Sequence, residues 1–146
     1  SSSFCSQRKQ SVPKPEVLFV CVHNAGRSQM AAAFLIHHSK GAVSVRSAGT
    51  APAGSINPAV IEAMQEKGID LLAMGAKPKI LESEIVMGSD YVITMGCGDE
   101  CPFFPGVSYL DWALEDPAGK GVDSVRPIRD EIEERVLALL EQIQNS

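Results

Sequence analysis

No stretch of the 146 residues approaches the roughly 20 consecutive apolar positions that a membrane-spanning helix needs, so no membrane partner is expected. Runs of basic residues are also missing, and the formal charge is -5. That balance argues against a general nucleic-acid or acidic-membrane surface. It does not prevent a local cluster of donors from binding an anion. Residues 1–15 lack the apolar core of a secretory signal; they are polar and carry Arg8, Lys9 and Lys14. We read them as a flexible tail or linker remnant, with the domain over residues 16–146. Nearly half the chain is apolar, enough for one sizeable core in one compact domain. No internal repeat is visible.

Histidine is scarce: His23, His37 and His38 are the only three. His37 and His38 read as helix-end residues that complement the dipole. Cysteine is present four times, as Cys5, Cys21, Cys97 and Cys101. An even count is compatible with two structural disulfides. The chain length, the apolar core and the missing signal favour reduced thiols and a cytoplasmic location instead. Cys97 and Cys101 form a C-x3-C pair, which supplies two ligands where structural zinc takes four. The alternatives for that pair are half a metal site or two buried small residues. We expect no metal and no bound cofactor.

The patterning alternates strands with helices. Glu16 to Val22 is a short apolar, β-branched run and reads as a buried strand. Ser28 looks like the N-cap of a helix through Ile36, with Lys40 near its end and Gly41 as terminator. Val43–Ser47 is expected to be a second strand. Ala51–Ile56 reads as a loop, and Asn57-Pro58 as the opening of a helix that Gly68 ends. A short helix is expected over Leu81–Met87, strands over Asp90–Met95 and Val107–Leu110, and loops over Gly96–Gly106 and Asp111–Val122. The last helix spans about Val125 to Ile143, with Ile128, Ile132, Val136, Leu139, Leu140 and Ile143 on one face. This order implies an α/β fold with a parallel sheet covered on both faces. Ligands in such folds bind beyond the C-terminal strand ends, where Cys21 and the two later loops are expected to meet.

The chemistry concentrates in Cys21-Val22-His23-Asn24-Ala25-Gly26-Arg27-Ser28. Five residues separate the cysteine from the arginine, and a serine and a helix follow. A loop this tight can turn its N–H groups inward as an anion nest. Asn24 and Gly26 tolerate the positive φ values such turns use. The helix N-terminus adds about half a positive charge. Arg27 can grip two oxygens of an oxyanion in a fork that lysine cannot reproduce. The same donors suit a thiolate, the nucleophilic form of Cys21, and Ser28 can donate to its sulfur. The plain alternative is a buried strand cysteine and a surface arginine. The strand before, the serine after and the helix beyond argue for the catalytic reading.

The segment C-V-H-N-A-G-R-S-Q-M-A resembles the phosphate-binding loop of the low-molecular-weight tyrosine phosphatase fold, and more closely that of the arsenate reductases built on it. The likeness runs from about Glu16 to the C-terminus. It takes in Ser47-Ala48-Gly49-Thr50, Asp116-Pro117-Ala118-Gly119 and Arg126-Pro127-Ile128-Arg129-Asp130-Glu131-Ile132. It implies a four-stranded parallel sheet flanked by helices. It also implies Cys21 as nucleophile, Arg27 as oxyanion clamp, Ser28 as thiolate partner and Asn24 as the residue that shapes the loop.

Arsenate and phosphate are tetrahedral anions of similar charge, with sulfate a further mimic, so the loop alone does not choose between them. Reducing arsenate takes two electrons, which two thiols supply as they become a disulfide. Resemblance to three-cysteine arsenate reductases implies a relay: Cys97 resolves the Cys21 adduct, Cys101 attacks Cys97, and thioredoxin reopens the Cys97–Cys101 disulfide. The spacing of these two cysteines is shorter than in the best-known thioredoxin-linked members of the family. Asp116, which precedes Pro117, is the implied acid for the leaving oxide, a role worth about 10²–10⁴ in rate. The alternative is that Asp116 only starts a turn, with Asp111 the substitute acid. Ala118 and Gly119 stand where tyrosine phosphatases of this fold often carry aromatics, which favours a small inorganic substrate. Some relatives bind potassium through an asparagine and a helix acid. Asn24 is present but Ala32 holds the acid's position, so that ion is not expected. The rivals are a low-molecular-weight phosphatase, a reductase coupled to mycothiol and a glutaredoxin-like protein, and a non-catalytic oxyanion sensor.

Overall fold

The computed structural model describes residues 14–96, 105–115, 117 and 119–145. Cys5, Cys97, Cys101, Asp116 and Ala118 lie outside the described residues. Four parallel strands form one sheet: β1 (Glu16–Cys21), β2 (Ser44–Gly49), β3 (Tyr91–Met95) and β4 (Ser108–Asp111), in the order β2-β1-β3-β4. The helices are α1 (Arg27–Ser39), α2 (Pro58–Gln65), α3 (Ser83–Met87) and α4 (Val122–Asn145). This is the architecture expected from the alternating pattern. Among the described residues no helix is long and apolar enough to cross a membrane.

β1 is central, and its alternation divides the core in two. Val17, Phe19 and Cys21 face the larger cluster with Phe34, Leu35, Val60 and Ile132, from α1, α2 and α4. Leu18 and Val20 face a smaller cluster with Val86 of α3 and Val92. A strand buried on both faces reads as a continuous apolar run, which is why no polar residue interrupts Val17–Cys21. Each large side chain buried here contributes about 1.5–3 kcal/mol relative to exposure. The register aligns Cys21 with Gly49 on one side and Met95 on the other, and Thr94 with Asp111. The C-terminal ends of all four strands therefore share one edge.

Several boundaries differ from expectation for physical reasons. Ser28 is not the N-cap of α1. The helix begins at Arg27 with Gly26 in the cap position and no side-chain cap bond, because the Ser28 hydroxyl turns back to Cys21. At the other end Lys40 itself takes the left-handed cap conformation, φ 54°, one residue before Gly41. β2 runs on to Gly49 because its N–H reaches Lys79 O and its carbonyl accepts from Leu81 N–H, outside the expected strand. α4 starts at Val122 and holds Pro127 at its sixth residue. Proline withholds one N–H there, and the Asp123 carboxylate pairs with Arg126 in the same turn. Asn57 caps α2 as expected, its Oδ1 accepting from Ala59 N–H at 3.0 Å.

Candidate active site

The loop between β1 and α1 has all its carbonyls bonded to the protein. Cys21 O accepts from Thr50 N–H, Val22 O from Ala51, His23 O from Ala53 and Ala25 O from Asn57. Gly26 O accepts from Met30 N–H, and Asn24 O from Gln29 Nε2. A trans peptide sets its N–H opposite its C=O. With six successive carbonyls turned outward, the N–H groups of residues 22–27 face the inside of the turn. The N–H groups of the first turn of α1, which have no partner within the helix, adjoin them. Asn24 N–H illustrates the arrangement, pointing at Cys21 Sγ from 3.1 Å.

Asn24 is buried and takes φ 51°, the left-handed region it tolerates better than most residues. Gly26 departs from expectation, since its φ is -145°. Its missing side chain serves a close approach instead: a Cβ there would lie 3.0 Å from Pro117 Cγ.

Cys21 is only 2% exposed, and its sulfur lies 2.9 Å from Ser28 Oγ. Asn24 Nδ2 donates to that hydroxyl oxygen at 2.6 Å. Ser28 accepts from Asn24, and its own proton is available to a Cys21 thiolate. A thiolate there has two donors in reach, that hydroxyl and the Asn24 backbone N–H. Donors so placed stabilise a thiolate.

Arg27 is buried, and its Nη1 donates to Leu114 O at 3.2 Å. This fixes a guanidinium beside the loop. Buried cation, helix N-terminus and inward amides give the turn one electrostatic sign, suited to a tetrahedral oxyanion. Val22 is half-buried and His23 exposed, while Ala25 is buried. Among the described residues no group of three or more His, Cys, Asp or Glu is placed to hold a metal.

The structure thus brings together Cys21, Asn24, Arg27 and Ser28. Cys97 and Cys101 are outside the described residues, but Gly96 just before them abuts Arg27. Asp116 is likewise outside, while Pro117 packs on Gly26 and its carbonyl accepts from Asn57 Nδ2 at 3.3 Å. Asp111, the substitute acid, ends β4 and accepts from Thr94 Oγ1 at 3.2 Å. A cleft of about 350 Å³ opens beside the loop, lined by His23, Ala25, Gly26, Ile56, Pro117 and Lys120 among others. Sequence reasoning missed two contributors. Gln29 braces Asn24, and Gly49 admits the loop, since a Cβ there would lie 2.7 Å from Val22 O and 2.9 Å from Asn24 Cβ. Both residues sit in quoted motifs, but nothing local marks their partners.

The strand, the Cys-to-Arg-Ser turn and the helix that follows define an α/β protein of the phosphatase-loop class. More narrowly, the chain belongs to the low molecular weight phosphotyrosine protein phosphatase family, whose profile matches residues 16–146. Its relatives within that family include arsenate reductases. A thioredoxin-dependent arsenate reductase from Corynebacterium glutamicum superposes with a TM-score of 0.81 at 47% identity; the match covers 95% of this chain and 66% of that one, just under two thirds of its length. A glutaredoxin arsenate reductase from Synechocystis is 34% identical over 88% of this chain and 98% of its own. Arsenate reductase 1 from Staphylococcus epidermidis is 38% identical over 82% of this chain and 90% of its own.

Proposed function

We propose that this protein reduces arsenate to arsenite, with Cys21 as nucleophile and the amides of residues 22–28 with Arg27 as the oxyanion cradle. The observation that carries the reading is the Cys21 sulfur, held by the Ser28 hydroxyl and Asn24 N–H at the mouth of a turn whose carbonyls are all directed elsewhere. The names of the relatives support the substrate.

The steps balance as follows. The Cys21 thiolate attacks arsenic and an oxide leaves as water, its protons supplied by a general acid and solvent. A second thiolate then attacks the Cys21 sulfur. The S–As bond breaks with its electron pair on arsenic, which departs as arsenite, and a disulfide remains. In our reading Cys97 is that second thiol. Cys101 next attacks Cys97 and frees Cys21, and an external dithiol reduces the Cys97–Cys101 disulfide. Asp116 is the proposed acid. The contact of Pro117, which follows Asp116 in the sequence, with Gly26 and its bond from Asn57 support this reading.

The relatives divide over the reductant, one named for thioredoxin and one for glutaredoxin. Two cysteines separated by three residues, soon after β3 in the sequence, favour direct reduction by thioredoxin in a reducing, cytoplasmic compartment. A mycothiol-coupled reaction would leave Cys97 and Cys101 idle.

The test measures arsenite formed with thioredoxin, its reductase and NADPH, for the wild type beside Cys21→Ser. Turnover lost in the variant supports the nucleophile, and undiminished turnover removes it. Loss of activity in Cys97→Ser and Cys101→Ser supports the relay, whereas activity that survives both and follows mycothiol or glutaredoxin redirects it. Hydrolysis of aryl phosphates without arsenate-dependent thiol consumption would mark a phosphatase instead.

A further inference from the structure

Gln29 is 2% exposed in the first turn of α1, a place where a long polar side chain normally reaches solvent. Its Nε2 instead points inward at three oxygens: Asn24 O at 2.9 Å, Lys77 O at 3.0 Å and Asn24 Oδ1 at 3.2 Å. Three acceptors around one atom settle which end of the amide is nitrogen. Asn24 Oδ1 also accepts from Lys79 N–H at 2.8 Å. With its oxygen facing two donors, the Asn24 amide has only one orientation, and its Nδ2 meets Ser28 Oγ.

We propose that Gln29 is a positioning residue for the thiol chemistry: its side-chain amide fixes Asn24, and through Asn24 it sets Ser28 to donate to Cys21 Sγ. The inference rests on the reading of Cys21 as nucleophile. The donors along this path run toward Ser28, from Gln29 and Lys79 to Asn24 and from Asn24 to Ser28, which leaves the Ser28 proton for a thiolate at Cys21. Gln29 also ties the loop to a segment 48 residues later. It holds the backbone carbonyl of Asn24, the residue with the left-handed turn, as well as its side chain. Without it, Asn24 Oδ1 keeps one donor and Asn24 O loses the only partner found for it among the described residues. Ser28 is then free to turn its hydroxyl away from sulfur.

The test is alkylation of Cys21 by iodoacetamide at fixed pH in the full chain, with the Cys21 peptide quantified by mass spectrometry. Gln29→Met keeps length and apolar bulk but removes the donor. It is expected to slow alkylation about three- to tenfold, the scale of one neutral hydrogen bond. Ser28→Ala is expected to slow it similarly, and the double variant no further than Ser28→Ala alone, because both act through one hydroxyl. If the Met variant does not fold by circular dichroism, Gln29→Asn keeps an amide too short for all three oxygens and is expected to fall between. Wild-type alkylation in a folded Gln29 variant, or losses that add in the double variant, overturns the assignment. No arsenate enters this assay. An inactive wild type with slow Gln29 variants would therefore count against the arsenate reading and not against this one.

Discussion

The Cβ that Gly96 lacks would stand 2.8 Å from Nη1 of Arg27. Gly96 also takes φ +84°, a region that L side chains rarely adopt. The residue that follows β3 and precedes Cys97 in the sequence thus gives the guanidinium its room. Gly96→Ala is expected to displace Arg27 from Leu114 O and raise KM for arsenate about tenfold, as the loss of a charge-assisted contact would. The strained backbone should add a stability cost of about 1 kcal/mol. Steady-state kinetics with urea denaturation separates the two effects. A stability loss with KM unchanged means that the glycine serves the turn alone.

Gly49 makes the corresponding demand on the other side of Cys21, its neighbour in the sheet. A Cβ there meets Val22 O at 2.7 Å and Asn24 N at 3.0 Å, and both are backbone atoms with little freedom to yield. Gly49→Ala is expected to cost about 1–3 kcal/mol, as overpacking does, and to distort the loop. Turnover should fall more than the stability loss explains. A variant with wild-type melting temperature and wild-type turnover would show that the loop has slack the structure does not reveal.

These two glycines show where the sequence stops being legible. The Cys21–Ser28 turn, the Asn57-Pro58 helix start and the apolar face of α4 were readable because each is a local pattern. Ile128, Ile132, Val136, Leu139, Leu140 and Ile143 are all buried as the helical period requires. The partners of Gly49, Gly96 and Gln29 lie far along the chain, and no spacing announces them. Ser28 was misread for a related reason. A serine before a helical run looks like a cap, and only the position of the sulfur shows that its hydroxyl is already engaged. α4 likewise begins earlier than the expected Val125, and the cost of Pro127 inside it is offset by Asp123–Arg126 pairing and by packing that no window of sequence displays.

Away from the site, Glu66 joins α2 to α4 through Arg126 and Arg129. Hydrogen bonds from Arg126 and then from Arg129 lower its pKa from 4.5 to about 2. A depressed folded-state value means that the group stabilises the fold above its unfolded pKa and loses that contribution as pH falls through the folded one. The wild type should therefore melt higher than Glu66→Gln at pH 7. The gap should shrink from about pH 4.5 downward and close near pH 2. Melting curves across that range check it. High salt should also narrow the gap, since these side chains are partly exposed. A gap that does not change between pH 7 and pH 2 would assign the difference to packing and remove the ion pairs as its cause.

Asn57 performs two tasks with two atoms, and substitutions can separate them. Its Oδ1 caps α2 at Ala59 N–H, and its Nδ2 donates to Pro117 O, next to the proposed acid Asp116. Asn57→Ala removes both and should cost about 1 kcal/mol of stability from the lost cap. Asn57→Asp keeps an excellent cap but replaces the Nδ2 donor with an oxygen that repels the Pro117 carbonyl. If the Pro117 bond positions the acid, Asn57→Asp should stay close to wild-type stability and still lose about tenfold in kcat, a fraction of what a general acid contributes. The loss should be smaller for a reaction whose leaving group needs no proton, such as hydrolysis of an aryl phosphate with an acidic phenol. Equal losses with both substrates would place the effect in the loop itself. Wild-type kcat in Asn57→Asp would leave the Asn57–Pro117 bond a purely structural tie and return Asp111, at the end of β4, to consideration as the acid.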